Sequence, residues 1–265
     1  FTQEGLSEIG DCMSDDSEVG GAEGKYEHVG AQDASRFAIS SSNTLAQDFW
    51  HYIYRGIGRC NHVITRVPDI NMDVSLRERI VAEAKFLRAF YYFHLNNVFA
   101  GVPIVDHPLQ QDEFYSVPRS SRLETYKFIV DNLEYAIEKL PQNYSSADVG
   151  RATKGAAQTL LAKTYLFMAS LKKYDTYIEW NGSGFDPNNE ISPQEYFQKS
   201  KSLLDEIISS GRYSLLQGTY TKYPGESYEH DVHAFAWIFS IEGDNSSETI
   251  FEIQAMDGHS GTGAN

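Results

Sequence analysis

Five long stretches of the sequence have the apolar spacing of amphipathic α-helices, and this pattern constrains the fold more than any other feature. Three of them open with the signature of a capping box, at Ser75-x-x-Glu78, Ser121-x-x-Glu124 and Ser192-Pro193-x-Glu195. In the first two, the apolar residues then recur every three or four positions. The helices are predicted over residues 44–67, 75–100, 121–140, 153–171 and 192–209. Long helices in consecutive pairs predict a mostly α fold of stacked, tetratricopeptide-like helical hairpins.

The two ends of the sequence lack this periodicity. Residues 1–43 are rich in glycine, serine and acids and predict loops with at most a short helix. Residues 248–254 are rich in β-branched and aromatic side chains and predict a strand, which needs a partner either near residues 213–216 or beyond the end of this sequence. We therefore expect one domain portion with acidic lead-in loops over 1–43, helical hairpins over 44–210, and loops and one strand over 211–265.

The charge of the chain argues against two kinds of partner, nucleic acid and an anionic membrane surface. The 265 residues have a formal net charge of −15, and residues 1–35 alone contain nine acids and one base, Lys25. Nucleic acid is disfavoured because binding to phosphates requires clustered lysine and arginine, and an anionic membrane surface is disfavoured for the same reason. The sequence contains no run of 18 apolar residues that could span a bilayer.

No motif for a metal, a cofactor or a catalytic group stands out. Cys12 and Cys60 are too few for a disulfide framework or a four-cysteine zinc site, although a bridge between them remains open. His230-x-x-His233 has no further ligand pattern around it, and no glycine-rich phosphate loop occurs. We therefore predict no metal site and no cofactor, and a glycosidase stays an alternative because carboxylates are plentiful.

Four passages resemble the SusD/RagB family of nutrient-binding lipoproteins of the Bacteroidetes outer membrane. They are the sequence AEAKFLRAFYYFH over residues 82–94 with GVPIV at 101–105, RATKGAA at 151–157, Trp50-x-x-x-Tyr54 followed by Ile57 and Asn61, and Ser14-Asp15-Asp16. Their order along the chain is that of the family, and they extend from residue 14 to about residue 166.

The resemblance implies a function that the spacing of residues does not reveal. Such proteins are not enzymes; they capture oligosaccharides at the bacterial cell surface and deliver them to a SusC-type TonB-dependent transporter. They are about twice as long as this chain and are held to the outer membrane by an N-terminal lipid anchor, so we expect the anchor and a C-terminal half to be absent here. A peptide-capturing protein, or a purely protein-binding adaptor of the transporter, remains the alternative.

Glycan binding without catalysis needs aromatic faces for sugar rings, and amides or guanidinium groups for pairs of hydroxyls. Two stretches offer this combination, residues 36–54 and the predicted loop 174–190. The candidate ligand-binding residues are Arg36, Asn43, Trp50 and Tyr54 in the first stretch, and Tyr177, Trp180 and Asn181 in the second. Trp50 and Tyr54 also fit a different interpretation, because residues four apart on one helix face often pack in a core.

Overall fold

The protein is an array of antiparallel helices followed by a small β-hairpin. The computed structural model describes residues 9–14, 17–20, 28–174, 191–222, 229–240 and 243–253. Its elements are α1 (Val29–Ser35), α2 (Thr44–Arg66), α3 (Val74–Phe99), α4 (Arg122–Lys139), α5 (Lys154–Tyr174), α6 (Pro193–Ser209), β1 (Thr219–Lys222), β2 (His230–His233) and α7 (Ala234–Trp237). The mostly α fold and all five long helices are confirmed, with α5 continuing three residues past Leu171.

Local capping chemistry sets most of the helix starts. Ser121 and Ser192 form complete capping boxes at α4 and α6, as their sequence signatures predict. The predicted box at Ser75 is wrong, because α3 begins earlier: Asp73 is the N-cap, and its carboxylate accepts the N–H of Leu76 at 2.8 Å. Aspartate is as good an N-cap as serine, so the earlier residue takes the position and Ser75 lies inside the first turn.

Each helix from α2 to α6 packs against the next one in the chain, which is the stacking expected of helical hairpins. The core between them is strongly aromatic, and its largest fully buried side chains include Tyr92, Tyr126, Phe86 and Phe93. Complete burial of one such side chain contributes roughly 2–3 kcal/mol relative to its exposure. Most of the aromatic residues on these helices therefore stabilise the interfaces between them.

The predicted strand at residues 248–254 is wrong over the part that the structure describes, since residues 248–253 are irregular. Among the described residues the two strands are β1 and β2, which pair antiparallel with Thr219 opposite His233. Phe251 packs instead on the helices, 5.0 Å from the ring of Phe86 and 6.1 Å from that of Phe90. The contact with residues 213–216 contains one backbone–backbone hydrogen bond, from the N–H of Ser214 to the carbonyl of Ser247. The other bonds involve side chains: the N–H of Leu216 donates to the carboxylate of Glu248, and two bonds involve the hydroxyl of Ser247 and Ser214, so no ladder forms.

Cys12 and Cys60 are both buried and are not joined by a disulfide. Cys12 packs in a small cluster with residues of α1 and the start of α2, while Cys60 lies on α2, where burial raises the pKa of its thiol to about 11. Within the described residues, no helix combines the length and hydrophobicity required to traverse a bilayer.

Candidate functional site

A short extended segment, residues 103–107, crosses the helices and forms the floor of the first candidate site; we call it the strap. Tyr54 donates its hydroxyl to the carbonyl of Pro103 at 2.7 Å, and the N–H of Val105 donates to the hydroxyl of Tyr92 at 2.7 Å. The side-chain amide of Asn61 donates to the carbonyls of Val105 and His107 at 2.9 and 3.2 Å. The backbone of the strap is therefore fixed by side chains of α2 and α3.

Arg88 of α3 lies beneath the strap, is only 5% exposed, and fixes both the strap and the Asn61 side chain by hydrogen bonds. Its Nε and Nη2 donate to Oδ1 of Asn132 at 3.0 and 2.8 Å, and its Nη1 donates to Oδ1 of Asn61 and to the carbonyl of Asp106, both at 2.8 Å. The ring of Phe128 lies 4.9 Å from the guanidinium carbon. The family-like motifs around Asn61, Arg88 and residues 101–105 thus meet in one buried network, which is a scaffold rather than a binding surface.

Trp50 and Tyr54 lie on α2 in partly buried positions. Their rings are 4.7 Å apart, and Trp50 also meets Phe99 edge-on at 5.1 Å. The hydroxyl of Tyr54 donates to the strap carbonyl of Pro103, and burial raises the pKa of this hydroxyl. The part of each ring that is not in the helix interface lines a cleft of about 430 Å³, which we call the aromatic cleft.

The loop that follows the strap forms one wall of the aromatic cleft. His107 lines the cleft, and its two ring nitrogens lie 2.7 Å from Asp106 and 3.3 Å from Glu113. Hydrogen bonding to the two carboxylates raises the pKa of His107, because both nitrogens can donate only when the imidazole is charged. At the end of this wall Phe114 is 60% exposed and Tyr115 is fully exposed. Sequence reasoning missed this pair, although two adjacent aromatics outside any helical period were a usable signal.

The second candidate site is a polar concavity of about 440 Å³ between α1 and the segments that precede it; we call it the lead-in concavity. Its lining residues are Ser14, Ser17, Glu18, Val19, Gln32, Ser35, Arg36 and Phe37. They supply one aromatic ring, one guanidinium group, one carboxylate, one amide and three hydroxyls. This mixture can pack on a sugar ring and form hydrogen bonds with its hydroxyls.

Phe37 has a backbone conformation that is unusual for a bulky residue. It follows the end of α1 with φ of 54°, and its N–H donates to the carbonyl of Ala34 while the N–H of Ala38 donates to that of Asp33. These two bonds make a Schellman motif, in which glycine normally occupies the left-handed position. Phenylalanine there costs about 1 kcal/mol or more, yet its side chain is 67% exposed and buries little in return. No sequence signal marked Phe37, because the motif depends on where α1 ends.

The structure separates the remaining candidate residues by environment. Arg36 is exposed and lines the lead-in concavity. Asn43 is 4% exposed and caps α2: its Oδ1 accepts the N–H of Ala46 at 3.1 Å, and its Nδ2 donates to the carbonyl of Gly30 at 3.0 Å, which joins α1 to α2. Tyr177, Trp180 and Asn181 lie outside the described residues. No group of three or more histidine, cysteine or acidic side chains suited to a metal ion occurs in the described part of the chain.

Comparison with known proteins identifies relatives for most of the chain. The model of the SusD-like family that is described as starch-binding and associating with the outer membrane matches residues 17–166. SusD-like protein P2 of Formosa agariphila is 29% identical over 175 residues, which are 64% of this chain and 34% of that protein.

Two solved structures share the fold. A SusD-like protein of Bacteroides fragilis is 25% identical, with a TM-score of 0.73 over 98% of this chain and 43% of its own. A laminarin-binding SusD-like protein is 30% identical, with a TM-score of 0.64 over 81% of this chain and 42% of its own. This chain therefore spans between about a third and somewhat under half of the length of these three relatives. By sequence and by fold, the chain belongs to the SusD-like family of starch-binding proteins that associate with the outer membrane.

Proposed function

We propose that this protein binds an oligosaccharide without cleaving it, at the surface of the bacterial outer membrane, and delivers it to a SusC-type TonB-dependent transporter. The observation that carries the proposal is Phe37, an exposed aromatic ring that is kept in a strained backbone position beside Arg36. A residue that costs stability and buries little is explained best by what its ring contacts in solution. The laminarin-binding relative supports a glycan as that contact.

The chemistry of the lead-in concavity fits binding better than hydrolysis. An aromatic face packs on the apolar face of a sugar, and the guanidinium of Arg36 can donate to two neighbouring hydroxyls at once. Glycoside hydrolysis normally requires two carboxyl groups at a defined separation across the scissile bond. Of the described residues that line the concavity, Glu18 is the one carboxylate; Asp15 and Asp16 lie outside the described residues.

Calorimetric titration with a panel of neutral oligosaccharides tests the proposal. For a glycan that binds, we expect Phe37→Ala to weaken the affinity about tenfold, because a stacked ring contributes about 1 kcal/mol beyond its buried area. Arg36→Gln should weaken it as well, whereas Phe114→Ala, an equally exposed aromatic outside the concavity, should leave it unchanged. Failure of every oligosaccharide to bind, or equal affinity of the Phe37 variant and the parent, would refute the glycan site.

The delivery step has its own test. The protein should co-purify with a SusC-type TonB-dependent transporter from the cells that produce it, and uptake of the bound glycan by these cells should fall when Phe37 is replaced. Co-purification without any glycan affinity would instead favour the adaptor alternative, and displacement of the glycan by peptides would favour peptide capture. Release of reducing ends from a polysaccharide would contradict a non-catalytic role.

Further glycan contacts at Tyr177, Trp180 and Asn181 stay predictions. Contacts at Trp50 and Tyr54 stay predictions as well, with a protein side chain as the competing occupant of the aromatic cleft that these two residues line. Replacement of each by alanine in the same titration would assign it. Because the amide of Asn43 is buried and engaged on both sides, we propose no glycan contact for it and expect its replacement to act through stability.

A further inference from the structure

The aromatic cleft differs in chemistry from the lead-in concavity. Its wall is formed by aromatic, aliphatic and proline side chains, and its polar lining side chains are His62, His107 and Tyr54. The hydroxyl of Tyr54 already donates to the strap, and His107 is engaged by two carboxylates. A sugar ring would therefore meet few hydrogen-bonding groups here, whereas an apolar side chain would be well accommodated.

The lip of the cleft exposes more aromatic surface than folding requires. Phe114 lines the cleft and is 60% exposed, and Tyr115, the next residue in the same loop, is fully exposed. Tyrosine and phenylalanine beside an apolar depression are typical anchors of protein interfaces, since their rings bury a large area at a small entropic cost. An exposed pair of this kind beside an apolar cleft is what docking of another protein requires.

The charge around the cleft selects the partner. The loop that forms its wall carries three exposed or partly exposed acids, Asp106, Asp112 and Glu113. His107 pairs with Asp106 and Glu113, and its one positive charge, when it is protonated, offsets one of the three negative charges. The whole chain has a net charge of −15, so the long-range field has the same sign. A basic segment would be attracted to this rim and an acidic one repelled.

We propose that the aromatic cleft is a docking site for a protein partner, which inserts one apolar side chain from a basic, extended segment between Trp50 and the Phe114–Tyr115 lip. A volume of about 430 Å³ admits one large side chain with its flanking backbone. The proposal rests on the cleft alone and is independent of glycan binding in the lead-in concavity.

Three fluorescein-labelled nonapeptides test it by fluorescence anisotropy: a central phenylalanine with lysine flanks, the same anchor with glutamate flanks, and a central serine with lysine flanks. We expect the first peptide to bind at least about tenfold more tightly than either of the others, and its affinity to fall as salt is added. Tyr115→Ala should weaken its binding about fivefold or more, and Glu113→Gln should reduce the salt dependence.

Tyr52→Ala is the matched control, because Tyr52 is an exposed tyrosine of α2 outside the cleft. It should leave peptide binding unchanged, and circular dichroism of all variants should match that of the parent because the replaced side chains are exposed or partly exposed. The proposal is overturned if the three peptides bind equally, if the first does not bind at about 1 mM, or if a neutral oligosaccharide displaces it from the cleft. Loss of glycan binding in the Phe37 variant with peptide binding intact would show that the two sites are separate.

Discussion

Replacement of Arg88 by methionine tests the buried network that holds the strap. The change keeps most of the length of the side chain and removes four hydrogen bonds, leaving three oxygens without their donor: Oδ1 of Asn132, Oδ1 of Asn61 and the carbonyl of Asp106. A buried acceptor without a donor costs about 1–3 kcal/mol, so the three together set a range of about 3–9 kcal/mol.

Two effects bring the expected loss toward the lower end of this range. Asp106 lies at the surface, where water can reach its carbonyl, and removal of a buried charge also removes its desolvation cost. We therefore expect the free energy of unfolding to fall by about 4 kcal/mol, which is a large part of the 5–15 kcal/mol that stabilises a typical domain.

Urea denaturation followed by circular dichroism measures this loss. Arg66→Met, at the exposed end of α2, is the matched control and should change stability by less than about 0.5 kcal/mol. Hydrogen exchange adds a local readout, because the Val105 amide that donates to Tyr92 should exchange faster once Asn61 is released. A loss below about 1.5 kcal/mol for Arg88→Met, with unchanged exchange at Val105, would refute the scaffold role.

Three further predictions concern single positions. Gly101→Ala should destabilise the fold by about 2–3 kcal/mol, because a Cβ there would lie 2.1 Å from the carbonyl oxygen of Ser120. At Gly58 an added Cβ meets nothing within 4 Å, so Gly58→Ala should stabilise α2 by about 0.5–1 kcal/mol. Thermal unfolding of the two variants measures both changes. Phe37→Gly should keep or raise stability while it abolishes stacking on a sugar, and a large loss of stability would argue against strain. The raised pKa of His107 means that its bonds to the two flanking carboxylates contribute stability below its unfolded pKa of about 6.5, and this contribution is lost as pH rises through the higher folded value. His107→Gln should therefore be destabilised relative to the parent at about pH 5.5 and equal to it at about pH 8.5, and an equal effect at both values would contradict this assignment.

The helices could be predicted from the sequence because the signals that form them are local. Apolar spacing and the serine caps of α4 and α6 act within a few residues, and the structure follows them. At α3 two caps competed within three residues, and Asp73 prevailed over Ser75. Such competition shifts a boundary without altering the element.

The strand prediction failed because β propensity reports how well side chains fit a half-buried surface. In residues 248–253 the surface is provided by the helices and not by a sheet, because Phe251 packs against Phe86 and Phe90. The partner that decides between these outcomes lies more than 150 residues away in the sequence, so no local pattern could reveal it.

The candidate sites were predictable only in part. Arg36, Trp50 and Tyr54 were selected for their chemistry, and the structure places the first at one concavity and the other two at another. Phe37 and the Phe114–Tyr115 lip were not selected, because their exposure depends on where a helix ends and how a loop is held. The resemblance to the SusD/RagB family came from scaffold residues such as Asn61 and Arg88, which is why it identified the family without locating the ligand.

A crystal structure of the protein with a bound neutral oligosaccharide tests the central claim most directly. The account predicts one sugar ring stacked on the face of Phe37 at about 4 Å, with hydroxyls within hydrogen-bonding distance of the Arg36 guanidinium and no change in the conformation of residues 36–38. An oligosaccharide bound elsewhere on the chain, with Phe37 left in solvent, would contradict it.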